Sequence, residues 1–341
     1  MTGKSWIIGV CMVLSICNGP KYQGPVSDHF DGKHFSAPEP LPPKSWLDVW
    51  KWRLTARRMP WPQWVNITPD KPPAQVEGSQ LRVSFVNHAT FLLQTEGLNI
   101  LTDPIWSDRA SPLSFIGPKR VTAPGIVWND LPKIDLVLIS HSHYDHLDIP
   151  TLKKLVARDN PQIIVPLGVD TIIRNHMPQA KVQAMDWGQE DDFSGIAIHA
   201  EPTYHWSARS FWDRNETLWA SYVIATPHGK IYFSGDTGYA SGKVFREIGK
   251  KYGSIRFAMI GIGAYEPRWF MKPSHINPDE AVQVFQDIRA QHAVPMHWGT
   301  FQLSDEGRDQ PVQDLYKALD TAKIPRQKFQ ALDPGQFIEL K

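Results

Sequence analysis

From residue 81 onward, apolar and polar positions fall into short strand-like runs separated by polar turns. LRVSFV (81–86) and TFLLQT (90–95) read as a hairpin around Asn87-His88-Ala89, and LNILTD (98–103) as a third strand. DLVLIS (135–140) is a near-continuous apolar run, the pattern of a strand buried on both faces. QIIVPL (162–167), AIHAEPT (197–203), ASYVIAT (220–226), KIYFSGD (230–236), FAMIGIG (257–263) and AVPMHWG (293–299) predict further strands. IPTLKKLVARD (149–159) predicts a helix with Pro150 in its first turn. NPDEAVQVFQDIRAQ (277–291) predicts another, capped by Asn277 with Pro278 at the first helical position. Many strands with helices at intervals argue for sheets covered by helices, an α/β or α+β class.

Upstream of residue 81 the pattern changes. Residues 7–16, IIGVCMVLSI, form an apolar run well short of the roughly 20 residues that span a bilayer. That length suits the hydrophobic region of a signal peptide. Cys17, after Ser15-Ile16, is a candidate lipidation site, although Ile16 is bulky for that position. An uncleaved anchor or a buried strand is the alternative. Residues 1–19 are therefore read as a signal or lipoprotein-type membrane anchor, which places the protein at a membrane, in a bacterial cell envelope.

Residues 20–80 are read as a Pro/Trp-rich arm and 81–341 as the main domain. The proline-rich start of the arm predicts an extended wrap. Within it, Trp46, Trp50 and Leu54 recur at i, i+4 and i+8, which predicts a short amphipathic helix ended by Pro60. Tryptophans beside Lys51, Arg53, Arg57 and Arg58 form an interfacial pattern, with rings at headgroup level and cations toward anionic lipid. Trp46 and Trp50 are assigned to packing on the main domain, and the basic face to membrane contact.

Composition narrows the chemistry. The 341 residues are 42% hydrophobic and 21% charged, which excludes a disordered chain. Lys+Arg 36 against Asp+Glu 35 leaves a formal charge of +1, with no electrostatic footprint for nucleic acid. Both cysteines, Cys11 and Cys17, lie in the first apolar stretch. The folded body thus has no disulfide, no thiolate nucleophile and no sulfur ligand, so any metal must be held by His, Asp or Glu.

His-Ser-His-Tyr-Asp-His at 141–146 directly follows the DLVLIS strand. In an extended segment residues i and i+2 point the same way, so His141 and His143 can converge on one ion. The chain then turns, and Asp145 and His146 can face a second ion. His205, Asp236 and His297 each sit at the end of a predicted strand, where α/β folds place their sites. Five histidines and two aspartates make a two-metal set without sulfur, which suits Zn²⁺ with open positions for water.

These residues resemble the metallo-β-lactamase superfamily, over about residues 81–300. The likeness is closer to its N-acyl-phosphatidylethanolamine phospholipase D-like branch. It is carried by NHATFLL (87–93), LTDPIWSDRASP (101–112), GPKR (117–120), LISHSHYDHLD (138–148), HWSAR (205–209), SGDTGY (234–239), SHINPDEA (274–281) and MHWGTF (296–301). The resemblance implies an αββα sandwich with the site at one edge. It implies that His141, His143 and His205 bind one zinc, that Asp145, His146 and His297 bind the other, and that Asp236 bridges, with Asp145 and Asp236 at the catalytic centre.

Around this set, Asp103 is a candidate to accept a hydrogen bond from a ligand histidine, or else a turn aspartate before Pro104. His275 and His88 are candidate neighbours of substrate or ligands. In such a site two zinc ions lower the pKa of a bridging water, and the hydroxide attacks phosphorus. In the resembled branch this converts an N-acyl-phosphatidylethanolamine to phosphatidic acid and an N-acylethanolamine. The expected partners are phospholipid and a membrane surface, with a homodimer as a further expectation. The competing readings are a hydrolase of a soluble lactone or small phosphate ester, and a non-catalytic tethered scaffold that keeps zinc for stability. The full seven-ligand set argues against the scaffold, since structural zinc sites are usually closed and single.

Overall fold

The computed structural model describes residues 21–42 and 45–341. The leader reading of residues 1–19, Cys17 included, lies outside them, as does the side chain of Trp46.

Two sheets form the body. β1 (Leu81–Asn87), β2 (Thr90–Thr95) and β3 (Leu98–Thr102) make an antiparallel meander. β4 (Leu136–Leu138), β5 (Gln162–Pro166) and β6 (Lys181–Met185) extend it in parallel. The second sheet runs from β7 (Glu190–Phe193) through β8 (Ile196–Glu201), β9 (Ser221–Thr226), β10 (Gly229–Phe233) and β11 (Phe257–Gly261) to β12 (Ala293–Met296). β13 (Phe337–Leu340) returns to close the first sheet against β1. The helices are α1 (Trp46–Thr55) in the arm, then α2 (Ile149–Arg158), α3 (Val169–His176), α4 (Lys243–Tyr252), α5 (Arg268–Met271), α6 (Pro278–Asp287) and α7 (Gln310–Thr321).

The two-residue period of the strands sorts these elements into layers. Leu136, Leu138 and Ile164 share one apolar core with Ile198, Ile224, Phe233 and Met259 of the second sheet. Their alternates Val137, Ile139, Ile163 and Val165 face a separate core with Leu152, Leu155, Ile172 and Ile173 of α2 and α3. Phe245, Ile248, Val282, Phe285, Leu315 and Leu319 of α4, α6 and α7 cover the far side of the second sheet. The result is helix, sheet, sheet, helix: the expected αββα sandwich. The apolar run at 135–140 is double-faced because helices cover one side and a sheet the other.

Several boundaries differ from expectation. The 135–140 run is strand only over 136–138, because at Ser140 the backbone N–H turns to Asp103 instead of the ladder. α6 begins at its Asn277 capping box but ends near Asp287, since Arg289 adopts φ 56° and Ala290 bridges to Ile255. α1 has its own capping box between Ser45 and Asp48, yet it stops at Thr55, five residues before Pro60. There the chain turns onto Asp305, whose carboxylate accepts the Arg57 N–H and whose carbonyl accepts the Met59 N–H.

The arm crosses the body as an extended wrap. Phe30 and Phe35 bury against Leu218 and Trp219. Val65 and Asp70 bridge to Thr122 and Ile126, and the buried Asp70 carboxylate takes two hydrogen bonds from the Arg82 guanidinium. The packing expectation for Trp50 fails: that side chain is 54% exposed. Trp52 packs instead, stacked on Phe270 at 5.0 Å with its indole N–H donating to Asp305. Two helical residues are separated by about 200°, so only one of the pair can face the body.

Candidate metal centre

The centre lies where loops leave the strands along one edge of the sandwich. After β4, the segment 141–147 closes a single helical turn, with the His146 and Leu147 N–H groups both donating to the His143 carbonyl. His141 and His143 precede the turn, and Asp145 and His146 ride on it. Arg209 holds this loop, donating to the carbonyls of Ser142 and Leu147 at 2.8 and 2.9 Å. His205 follows β8, Asp236 follows β10 and His297 follows β12. Gly235 sits at φ 53°, and a Cβ there would meet Ser140 at 2.7 Å, so glycine lets Asp236 approach the 141–147 loop. Gly263 does the same for His297, whose carbonyl would lie 1.9 Å from an added Cβ.

The seven predicted ligands converge in two groups. His141 Nε2 lies 2.7 Å from His143 Nδ1, which lies 3.2 Å from His205 Nε2. Asp145 Oδ2 lies 3.3 Å from Nε2 of both His146 and His297. Asp236 Oδ2 stands between the groups, 3.1 Å from His297 Nε2, 3.3 Å from His146 Nε2, 3.7 Å from His205 Nε2 and 4.0 Å from His141 Nε2. Ligand atoms about 2.0–2.1 Å from a tetrahedral ion stand about 3.3 Å apart, so these spacings fit metal coordination. Buried atoms left without a hydrogen-bond partner point the same way: His146 Nε2, His297 Nε2 and Asp236 Oδ1.

Asp103, His88 and His275 surround this set. Asp103 is fully buried and accepts from the Ser140 N–H at Oδ1 and the Ser140 hydroxyl at Oδ2, at 2.7 and 2.6 Å, and His146 Nδ1 lies 2.6 Å from the same Oδ2. That fixes the His146 ring with Nε2 toward the centre. His205 is held the same way, Nδ1 donating to the Ser274 carbonyl at 2.9 Å. His88, at the hairpin tip, places Nε2 2.9 Å from Asp145 Oδ2. His275 is half-buried beside the centre, with Nδ1 3.9 Å from Asp236.

Electrostatics divide the histidines. Burial and mutual repulsion push His141 well below the ordinary imidazole value, and burial lowers His205 likewise. Burial also takes His143 and His88 down to about 4. These rings are neutral, the form that ligates metal. For His297 and His146 burial works against protonation, but the carboxylates of Asp236 and Asp145 outweigh it. His297 rises to about 9 and His146 well above its usual value. The two carboxylates need positive charge beside them, which is what a metal ion supplies.

A sequence profile described as "Beta-lactamase superfamily domain" matches residues 98–298. The chain belongs to the metallo-β-lactamase superfamily. It is 39% identical over 273 residues to the N-acyl-phosphatidylethanolamine-hydrolyzing phospholipase D 1 of Caenorhabditis elegans, covering 76% of each chain. It is 40% identical over 271 residues to an uncharacterized protein of Mycobacterium tuberculosis, covering 77% of this chain and 70% of that one. Igni18, a metallo hydrolase from the archaeon Ignicoccus hospitalis, shares the fold at a TM-score of 0.56 and 20% identity, covering 77% of this chain and 99% of that one. Within the superfamily the chain falls in the N-acyl-phosphatidylethanolamine phospholipase D-like branch, and it is a metal-dependent hydrolase of this fold.

For this superfamily member, sequence reasoning missed several residues that shape the centre. Ser140 anchors Asp103, Arg209 clamps the 141–147 loop, and Trp206 lies edge-on to His143 at 4.3 Å. Trp61, on the arm, lines a small cleft together with His297, Ala264, Phe301 and Leu303, and its indole N–H donates to the Glu306 carbonyl. The arm therefore reaches the site. Spacing along the chain carries no signal for Trp61, which lies more than two hundred residues from His297.

Proposed function

We propose that the chain is a binuclear zinc phosphodiesterase of phospholipase D type, working at a membrane on N-acyl-phosphatidylethanolamine-like lipids. The products are phosphatidic acid and an N-acylethanolamine. The observation that carries this reading is Asp236 Oδ2, set within 4.0 Å of histidine nitrogens from both ligand groups. One carboxylate so shared suits two ions side by side.

His141, His143 and His205 would hold one zinc and Asp145, His146 and His297 the other, with Asp236 available to both. When bound, the pair supplies an activated water and positive charge against the oxygens of the attacked phosphorus. The chain's own part is orientation. Asp103 keeps His146 Nε2 aimed inward, and Ser274 does so for His205. His88 holds Asp145 in place. Burial of these groups keeps bulk water from competing for them.

Three exposed apolar segments support a lipid surface: Leu47, Trp50 and Leu54 on α1, Phe115 and Ile116, and Phe211 and Trp212. Phe211 is 91% exposed and Trp212 76%, more than a water-facing loop needs. Arg53, Arg57 and Arg58 add positive charge beside α1. Anchorage of the N-terminus in a bacterial cell envelope belongs to the same reading. The deciding experiment is hydrolysis of a lipid panel with products identified by mass spectrometry. Release of N-acylethanolamine is the expected result. Turnover of a soluble lactone or small phosphate ester, with every lipid untouched, would overturn the reading.

A further inference from the structure

The segment between β8 and β9 folds on itself beside the metal centre. Ser207 and Asn215 exchange hydrogen bonds, and the Ser207 hydroxyl donates to the Thr217 carbonyl. Asp213 is occupied inside the loop, accepting the N–H groups of Arg209 and Ser210 at 3.0 and 2.7 Å. This architecture places Arg214 on Trp206, beside the centre. Its guanidinium lies 4.2 Å from the Trp206 ring centroid, and Trp206 in turn lies edge-on to His143.

Arg214 has no counter-charge among the described residues: its guanidinium makes no hydrogen bond or ion pair, and Asp213, its neighbour in sequence, is already spent. Arg214 is exposed to solvent. Two divalent ions outweigh the carboxylates of Asp145 and Asp236, so the loaded centre is itself positive. A guanidinium held against a positive centre repels it unless an anion lies between. The planar fork of arginine matches the oxygens of a phosphate group, and stacking on Trp206 pre-orients it.

We propose that Arg214 is the substrate-anion recognition residue, donating to a non-bridging oxygen of a phosphodiester while the diester faces the metal centre. This inference rests on the phosphodiesterase reading above and names the group that selects its substrate class. The shared chemistry is a monoanionic phosphodiester, whether in a lipid headgroup or in a soluble ester.

The test uses the zinc-loaded full chain with Arg214→Gln and Arg214→Lys. KM and kcat are measured on vesicle-borne N-acyl-phosphatidylethanolamine, on bis(p-nitrophenyl) phosphate and on an uncharged p-nitrophenyl ester. Inorganic phosphate binding is measured by calorimetry, and metal content by elemental analysis. Arg214→Gln is expected to raise KM for both diesters roughly ten- to a hundredfold, the value of a charge-assisted hydrogen bond. Phosphate binding should weaken in parallel, metal content should hold, and Arg214→Lys should recover part of the loss. An unchanged KM, an equal loss on the uncharged ester, or lost metal would each overturn the proposal. A rise confined to vesicles would assign Arg214 to the membrane and also overturn it. If no diester is turned over, the phosphodiesterase reading fails. Phosphate binding then decides alone: weakened binding in Arg214→Gln supports an anion site, and unchanged binding removes it.

Discussion

The metal centre and helix α1 are built on opposite principles. At the centre, charged and polar groups are buried, and the chain holds them from behind: Asp103 meets Ser140 and His146, His205 meets Ser274, and Asp145 meets His88. Along α1 the apolar groups are outside. Leu54 is 81% exposed and Leu47 59%, and the helix is tied down mainly by Trp52 on Phe270 and Lys51 over Trp269. Burying charge is costly, so a site of this kind persists only where a metal and its supporting shell compensate. Exposed apolar surface is costly to keep in water, so a helix of that kind makes sense beside something apolar that the chain does not supply.

The strongest way to break the comparison is to remove the shared carboxylate. Asp236→Ala should lower turnover about a thousandfold, since metal-supplied charge stabilisation is worth several kcal/mol and each 1.36 kcal/mol is tenfold. Metal retained after dialysis should fall with it. His275→Ala, whose ring lies farther off, with Nδ1 3.9 Å from Asp236, should lose less of both. Equal metal loss in the two variants would remove Asp236 from its bridging place.

Next in size is the arm's charge. The triple change Arg53→Ala, Arg57→Ala, Arg58→Ala should weaken binding to anionic vesicles by up to about a hundredfold, at roughly 1 kcal/mol per cation. Added salt should mimic it by screening. The chain tested begins at residue 21, so that no anchor masks the effect. Vesicle binding that does not respond to these changes would leave α1 without its proposed lipid partner.

Asp103→Asn probes the supporting shell. Loss of the charged partner of His146 should weaken metal binding ten- to a hundredfold in a chelator competition, while secondary structure holds. Unaltered affinity would return Asp103 to a turn residue before Pro104.

The same contrast explains what the sequence made legible. Metal ligation demands fixed residue types at strand ends, so the 141–146 cluster, His205, Asp236 and His297 were readable one by one. Core strands such as Leu136–Leu138 announce themselves because both faces are apolar. The edge strands Lys181–Met185, Glu190–Phe193 and Phe337–Leu340 were not legible, since each has a solvated face and mixed polarity. α4 was legible but unread: Val244, Phe245, Ile248 and Tyr252 mark its buried stripe. Trp50 was misassigned because pattern alone gives a helix its face, not the object that the face meets. Arg214 and Trp61 come near the centre through contacts that only the folded chain creates.

The smallest effect on the fold is expected at the tip of α1, and it sharpens the comparison most. Leu54→Ser exchanges an exposed apolar side chain for a polar one on a helix with little buried against the body. Surface substitutions away from special features stay within about 0.5 kcal/mol, so the unfolding midpoint in denaturant should barely move. The Trp52→Ala control should differ, because it removes the stack on Phe270 and the hydrogen bond to Asp305 together, a loss of about 1–3 kcal/mol. Vesicle binding should reverse the ranking between Leu54→Ser and its effect on the fold: a fully inserted leucine is worth about 1.5–3 kcal/mol, so the change should weaken partitioning by tenfold or more. If Leu54→Ser instead destabilises the fold as strongly as Trp52→Ala, α1 is packed in solution and the contrast with the metal centre dissolves. If it shifts a dimer toward monomer in light scattering while vesicle binding holds, the exposed face of α1 is covered by a second copy of the chain and not by lipid.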